Sequence, residues 1–349
     1  MKQYFLLFGI IGLILFSCEK KDDIDNGKDD IDNGNDDIDN GNDNNVEISL
    51  DSLELIVSNL PNGGYRDLVF INENTGYALS SNFVAKTTDG GYTWISYPIP
   101  IAHPIAPMKI QFTDSQTGYI IAGENNLGIL LKTTDGGQNW NTIDLNTYEC
   151  PIGMFFLNND IGFITGKGLF VKTLDGGRTW INLKKEHTFM YLGVNFKNDK
   201  EGIVTALNGE YFKTTDGGET WNNYNTVDYL THNIYFVEDN VFLSRNDDPC
   251  LFDLTNNNGI VSLPISSPTF AFFNSKQSIA VGEHWEELGY FSYNNICVTN
   301  DGWKTYSRKI LSSTISGSLI AKMSDNKVMI IYSSLSDTYI MTLKKWELR

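Results

Sequence analysis

The chain has 349 residues, 41% hydrophobic and 20% charged, with a net charge of −17. That length allows one large or two ordinary domains with a full core. Four cysteines exclude a disulfide-stapled scaffold, and the acidic balance argues against nucleic acid as a partner, because phosphate binding needs a basic stripe. Residues 19–45 alone carry −8, which leaves −10 on 46–349 and +1 on 1–18.

In chain order, Lys2 is followed by an apolar run, Phe5–Phe16, and then Ser17-Cys18. This pattern reads as a secretory signal, too short to span a bilayer. Leu15-Phe16-Ser17-Cys18 resembles the lipobox of bacterial lipoproteins, although Phe16 is bulkier than usual there. The resemblance implies that 1–18 is a lipoprotein signal, that Cys18 carries the lipid, and that this anchor is the protein's only membrane contact. Glu19-Lys-Lys-Asp-Asp23 resembles an acidic surface-export signal, which implies an outer-membrane lipoprotein exposed at the cell surface.

Residues 19–45 contain a heptad, Asp-Asp-Ile-Asp-Asn-Gly-x, beginning at Asp22, Asp29 and Asp36. One apolar residue per seven cannot bury a face, so the reading is a disordered, self-repelling tether. Compared with a calcium-binding EF-hand loop, the Gly arrives one position early and the distal Glu is missing, so no specific calcium site is expected.

The remainder, 46–349, is built from repeats. Lys86-Thr-Thr-Asp-Gly-Gly-Tyr-Thr-Trp94 recurs at Lys132–Trp140, Lys172–Trp180 and Lys213–Trp221, with a looser copy at Val298–Tyr306. The 85-residue gap from Asp216 to Asp301 is two repeats long, which places a degenerate copy near Leu251–Gly259. About 20 residues ahead of each copy stands a Phe followed six residues later by Gly: Phe70/Gly76, Phe112/Gly118, Phe156/Gly162 and Phe196/Gly202. Weaker copies begin at Phe236, Phe273 and Met323, making seven units. Alternation, β-branched and aromatic enrichment and regular turn signals predict four strands per unit, in the first near 67–72, 77–81, 83–88 and 92–97. Four-stranded repeats of 40–45 residues predict an all-β, seven-bladed β-propeller. The last unit lacks a fourth strand, so Leu53–Ser58 is expected to join the last blade and close the ring, with Trp346 near the seam.

The repeat resembles the Asp-box, or BNR, motif, and most closely the photosystem II stability/assembly-factor type of propeller. The likeness covers about 46–349. It implies the fold more strongly than the activity, since Asp-box propellers include sialidases, other glycosidases, sorting receptors and assembly factors. Asp89, Asp135, Asp175, Asp216 and Asp301 are expected to accept hydrogen bonds from their own turns. Trp94, Trp140, Trp180 and Trp221 are expected to pack between blades.

Turns alternate between the two ends of a propeller. The Asp boxes therefore share one face with the turns after each first strand, and the blade-to-blade connections occupy the other, which is the usual binding face in such families. That second face is predicted to hold His103, His187, His232 and His284, and the candidate binding residues are Arg66, Arg245, His284, Trp285 and Tyr290. No metal-ligating spacing appears among the histidines, so no metal and no cofactor is expected. Blade six is the longest, with extra residues around Gly282–Tyr290 that suit stacking on a sugar or anchoring a protein. Cys150, Cys250 and Cys297 read as small, inert buried thiols.

Catalytic residues stay unknown. A sialidase arginine triad is hard to assemble from Arg66, Arg178, Arg245, Arg308 and Arg349. No Gly-x-Ser-x-Gly elbow or phosphate loop is present, whereas a two-carboxylate glycosidase is compatible with the scattered Asp and Glu. The expected function is a surface-anchored, non-catalytic scaffold that engages a protein or glycan through the face opposite the Asp boxes. The alternative is a carbohydrate-active surface protein.

Overall fold

The computed structural model describes residues 48–344 apart from 102–104, 125–126, 146–148, 184–189, 208, 226–232, 245–249, 257, 263–264, 286–291, 313–317 and 334–337. Seven four-stranded antiparallel sheets follow one another along the chain. Blade one comprises Tyr65–Phe70, Gly76–Ser80, Phe83–Thr87 and Ile95–Pro98. Its outer strand starts later than the alternation predicts because Asp89–Trp94 is used up by the turn. The inner strands of blades two to seven are Ala106–Phe112, Pro151–Phe156, Tyr191–Phe196, Asn233–Val237, Ser266–Phe272 and Ser318–Ser324. Inner strands of neighbouring blades lie side by side around the ring, and Tyr235 meets Phe270 edge-on between blades five and six.

The seventh blade has the order Leu53–Ile56, Thr338–Lys344, Lys327–Ser333, Ser318–Ser324, so the N-terminal strand closes the ring as expected. Leu53 stands opposite Leu343 and Ile56 opposite Ile340. Ahead of this strand, Ile48 N–H donates to Asn300 Oδ1 at 2.7 Å, and Asn300 Nδ2 donates back to the Ile48 carbonyl at 2.9 Å.

The Phe/Gly signature now has a physical reason. Phe70 and Gly76, Phe112 and Gly118, Phe156 and Gly162, and Phe196 and Gly202 are direct cross-strand partners. Each ring lies flat over its glycine, where a Cβ would come within 2.4–2.7 Å of it. The residue after that glycine reaches the next blade. Tyr77 stacks on Phe112 with centroids 3.7 Å apart, Tyr119 on Phe156 at 3.6 Å, and Phe163 on Phe196 at 4.7 Å. An aromatic column therefore crosses each of these seams, and its members Tyr77, Tyr119 and Phe163 have no exposed surface.

Blade six departs by one residue from the sequence reading. Phe272, not Phe273, pairs with Ser278 and takes the repeat position, because Phe273 N–H bonds the Gln277 carbonyl as Ile71 N–H bonds that of Thr75. Blade six also moves its tryptophan. Trp303 occupies the second glycine position of the box, at φ 69°, and is buried, whereas Tyr306 at the usual tryptophan position is 41% exposed. Burying the larger ring compensates the roughly 1–2 kcal/mol cost of a left-handed non-glycine residue.

Candidate functional site

The loops sort into two faces. In blades one to four and six, the first glycine of the Asp box donates its N–H to a carbonyl in the loop between strands one and two of its own blade. The pairs are Gly90 to Asn74, Gly136 to Gln116, Gly176 to Asp160, Gly217 to Lys200 and Gly302 to Lys276, at 2.8–2.9 Å. Those loops are themselves Asx turns. Asn72, Asp114, Asn158, Asn198 and Asn274 each accept the N–H groups two and three residues on. Blades five and seven, which lack an Asp box of this form, join strands one and two by two-residue turns. The Asx loop and the Asp box therefore form one unit, and the Asn or Asp two residues after the repeat Phe is its sequence signal.

Inside the box the hub is a threonine. Thr87 Oγ1 donates to Asp89 Oδ1 at 2.9 Å and accepts the Gly91 N–H at 2.9 Å. Thr133, Thr173, Thr214 and Thr299 repeat both bonds, with Trp303 N–H replacing the second glycine's in blade six. The other carboxylate oxygen takes the side chain four residues on: Thr93 at 2.6 Å, Asn139 at 2.8 Å, Thr179 at 2.6 Å and Thr305 at 2.7 Å, with Thr220 in the same role. Asn139 thus keeps the donor while changing the residue. In blade five, Asp253 accepts the Thr255 and Asn256 N–H groups, a reduced form of the same turn.

These bonds set the acid behaviour. Burial disfavours the charged form of Asp135, but donors on Asn139, Thr133 and Gln138 outweigh it and hold the carboxyl at about 2. Bonds from Thr179 and Thr173 hold Asp175 at about 2 as well, and Asp216 is lowered by Thr220 and Thr214. A carboxyl depressed in the fold contributes stability that is present above its unfolded value, near 4, and is lost as pH falls through its folded value. The urea midpoint is therefore expected to be flat above about pH 4 and to drop between about pH 4 and 2. Asp135→Asn should make that slope shallower, and an unchanged slope would contradict the assignment.

The polar contacts across the seams were not evident in the repeat. Lys86 Nζ donates to the Gly136 carbonyl at 2.8 Å, Lys132 to Gly176 at 3.1 Å and Lys172 to Gly217 at 3.1 Å, so each lysine grips the next blade's Asp box. Burial lowers the pKa of Lys86 and of Lys132. Between inner strands Gln111 exchanges two bonds of 2.8 Å with the Phe156 backbone, and Asn195 Nδ2 donates to the Ile234 carbonyl at 2.7 Å. Asp67 accepts the Ile110 N–H at 2.9 Å, and desolvation of this partly buried carboxyl raises its pKa against that bond.

The opposite face holds the ends of strands two and the starts of strands one. Arg66 stands there, exposed, on the inner strand of blade one at a bulge between Tyr65 and Asp67. His284 and Trp285 end the second strand of blade six, opposite Tyr293 and Ser292. That strand, Ser278–Trp285, has eight residues, against five in blades one, three, four and five. Because Ser278 pairs with Phe272 as Gly76 does with Phe70, the three extra residues extend the hairpin away from the Asp boxes by about 10 Å. Arg245, Tyr290, His103, His187, His232, Trp346 and Cys18 lie outside the described residues. Among the described residues no group of three or more His, Cys, Asp or Glu is placed to hold a metal. Burial pushes the Cys297 thiol up to about 12, against the opposing charge of Arg308.

Comparison with known proteins identifies relatives. The family model described as "Photosynthesis system II assembly factor YCF48" matches residues 51–181 and 138–227, together about half of the chain. The photosystem II assembly lipoprotein Ycf48 of Synechococcus sp. (strain CC9902) is 36% identical over 84 residues, 23% of this chain and 24% of that protein. The match thus spans about a quarter of the curated relative's length. Among solved structures, YCF48 bound to D1 peptide superposes with a TM-score of 0.62 at 20% identity, covering 84% of this chain and 95% of that one. YCF48 from Cyanidioschyzon merolae gives 0.58 at 16% identity, over 84% and 98%. A streptogramin B lyase gives 0.62 at 16% identity, over 84% and 97%. At these identities the structural likeness establishes the fold alone.

Proposed function

The chain belongs to the photosynthesis system II assembly factor YCF48 family, and on that premise we propose that it is a non-catalytic scaffold that holds a segment of a partner protein. A YCF48 solved with a D1 peptide bound supports a protein ligand over a glycan. The observation that carries the reading is how the repeat uses its polar groups. The Asp-box carboxylates are taken up by their own turns, and three box lysines by the neighbouring blade. The ring is thereby rigid, and its ends serve for presentation. The engaged face is the one opposite the Asp boxes, where Arg66 is exposed on the inner strand of blade one and the hairpin of blade six projects.

The protein is further proposed to reach its partner at the cell surface, tethered through a lipid on Cys18 and the acidic repeat. Cross-linking on intact cells, followed by identification of captured species, tests the reading. Capture of a defined protein, reduced at least fivefold by Arg66→Ala combined with Trp285→Ala, is expected. Equal capture by that double variant would remove the face from consideration. Saturable binding on a glycan array without protein capture would favour a carbohydrate-handling protein. Cys18→Ser should release the chain from the membrane fraction, and retention would exclude the lipid anchor.

A further inference from the structure

We propose a second binding surface, on the Asp-box face across blades two, three and four, that takes an extended segment of a partner protein carrying aliphatic side chains flanked by Lys or Arg. Leu174 occupies the position before the box aspartate, where the other boxes carry Thr88, Thr134, Thr215 and Asn300. It is 51% exposed. It stands between two hollows of about 610 and 450 Å³, one on each seam of blade three, and lines both together with Leu157 and Ile161. A lone exposed leucine is ordinary, but three aliphatic side chains shared by two adjoining hollows form a docking shape.

Charge selects the occupant. Asp114 and Asp160 line the first hollow and Asp199 and Asp216 the second, where Glu219 is taken up by Lys172. Side-chain and backbone donors from Asn159, Thr117 and Gln116 keep Asp114 ionised. The two lysines that line the second hollow are each paired, Lys172 with Glu219 and Lys197 with Asp239. The groove is thus acidic around an aliphatic floor, complementary to a basic, aliphatic strand. The sequence of residues 19–45, at −8, lacks the charge complementary to this groove. This surface is on the face opposite to the one proposed above, so either assignment survives failure of the other.

The test uses the full chain and three labelled peptides, Lys-Leu-Lys-Ile-Lys, Glu-Leu-Glu-Ile-Glu and Lys-Ser-Lys-Ser-Lys, titrated to roughly 1 mM, the weak end of recognition. The first is expected to bind at least roughly tenfold more tightly than either comparator, and to weaken several-fold as salt rises from roughly 50 to 500 mM. Leu174→Thr, which restores the residue of three other boxes, should lower its affinity at least fivefold without moving the unfolding midpoint. Asp160→Asn with Asp199→Asn should flatten the salt dependence. Absence of saturable binding, equal binding of the acidic peptide, or undiminished affinity in Leu174→Thr would overturn the proposal. A marked gain in affinity on deleting 19–45 would instead make the tether the occupant and would also overturn it.

Discussion

Removal of residues 1–57 is expected to destabilise the propeller by about 5 kcal/mol and to make it aggregate. The strand Leu53–Ile56 supplies the outer edge of the last blade, and without it Thr338–Lys344 becomes an unpaired edge. Two buried anchors go with it. Ile48 packs among Ile279, Val281, Val298 and Val328, and Ile56 among Leu68, Trp94 and Met329. Each such side chain contributes roughly 1.5–3 kcal/mol when buried. Loss of the paired bonds between Ile48 and Asn300 adds about 1 kcal/mol and leaves the amide without that partner. A chain starting at Val46 keeps all of these contacts and should match the intact protein. Urea midpoints and size-exclusion profiles of the two truncations decide the matter, and equal midpoints would show that the ring does not depend on this closure.

Gly162→Ala is expected to cost about 3 kcal/mol, although alanine is the smallest possible addition and the backbone there is ordinary strand. The new Cβ would lie 2.4 Å from the Phe156 ring. That ring has no free direction, because its other face is stacked on Tyr119 at 3.6 Å, nearly parallel. Overpacking of this kind forces off-rotamer side chains or backbone shifts worth about 1–3 kcal/mol or more. Combining Gly162→Ala with Phe156→Leu should recover part of the loss, since the smaller side chain yields to the Cβ. A double variant less stable than Gly162→Ala alone would show that the ring-on-glycine contact is not the cause. Thermal unfolding of the set reports the difference.

Both predictions show what a repeat reveals. The seven units and their strands were legible because each is written within about 45 residues, as turn residues, alternation and spacing, and the closing strand because the last unit was one strand short. The Phe/Gly signature was visible but unexplained until the register made Phe156 and Gly162 opposite neighbours. The one-residue shift to Phe272 was hidden because Phe272 and Phe273 are both aromatic, and only the loop bond from Phe273 to Gln277 tells them apart.

The sequence by itself determined the all-β ring, its blade number and the turns that carry the Asp boxes, because these rest on local backbone chemistry and on partners within one unit; it also pointed to the closure, although Leu53 pairs with Leu343 from the far end of the chain, because the count of strands left the last unit one short. Beyond the box tryptophans, only the tertiary structure decided what lies across the seams. Lys132 reaching Gly176, Gln111 strapping the Phe156 backbone, and Leu174 joining Leu157 and Ile161 between two hollows each depend on how successive sheets or their loops are placed. The physical reason is that strand alternation says which side chains share a face of a sheet. It does not say which face meets the neighbouring blade, and that is settled by the packing of rings and straps between the blades.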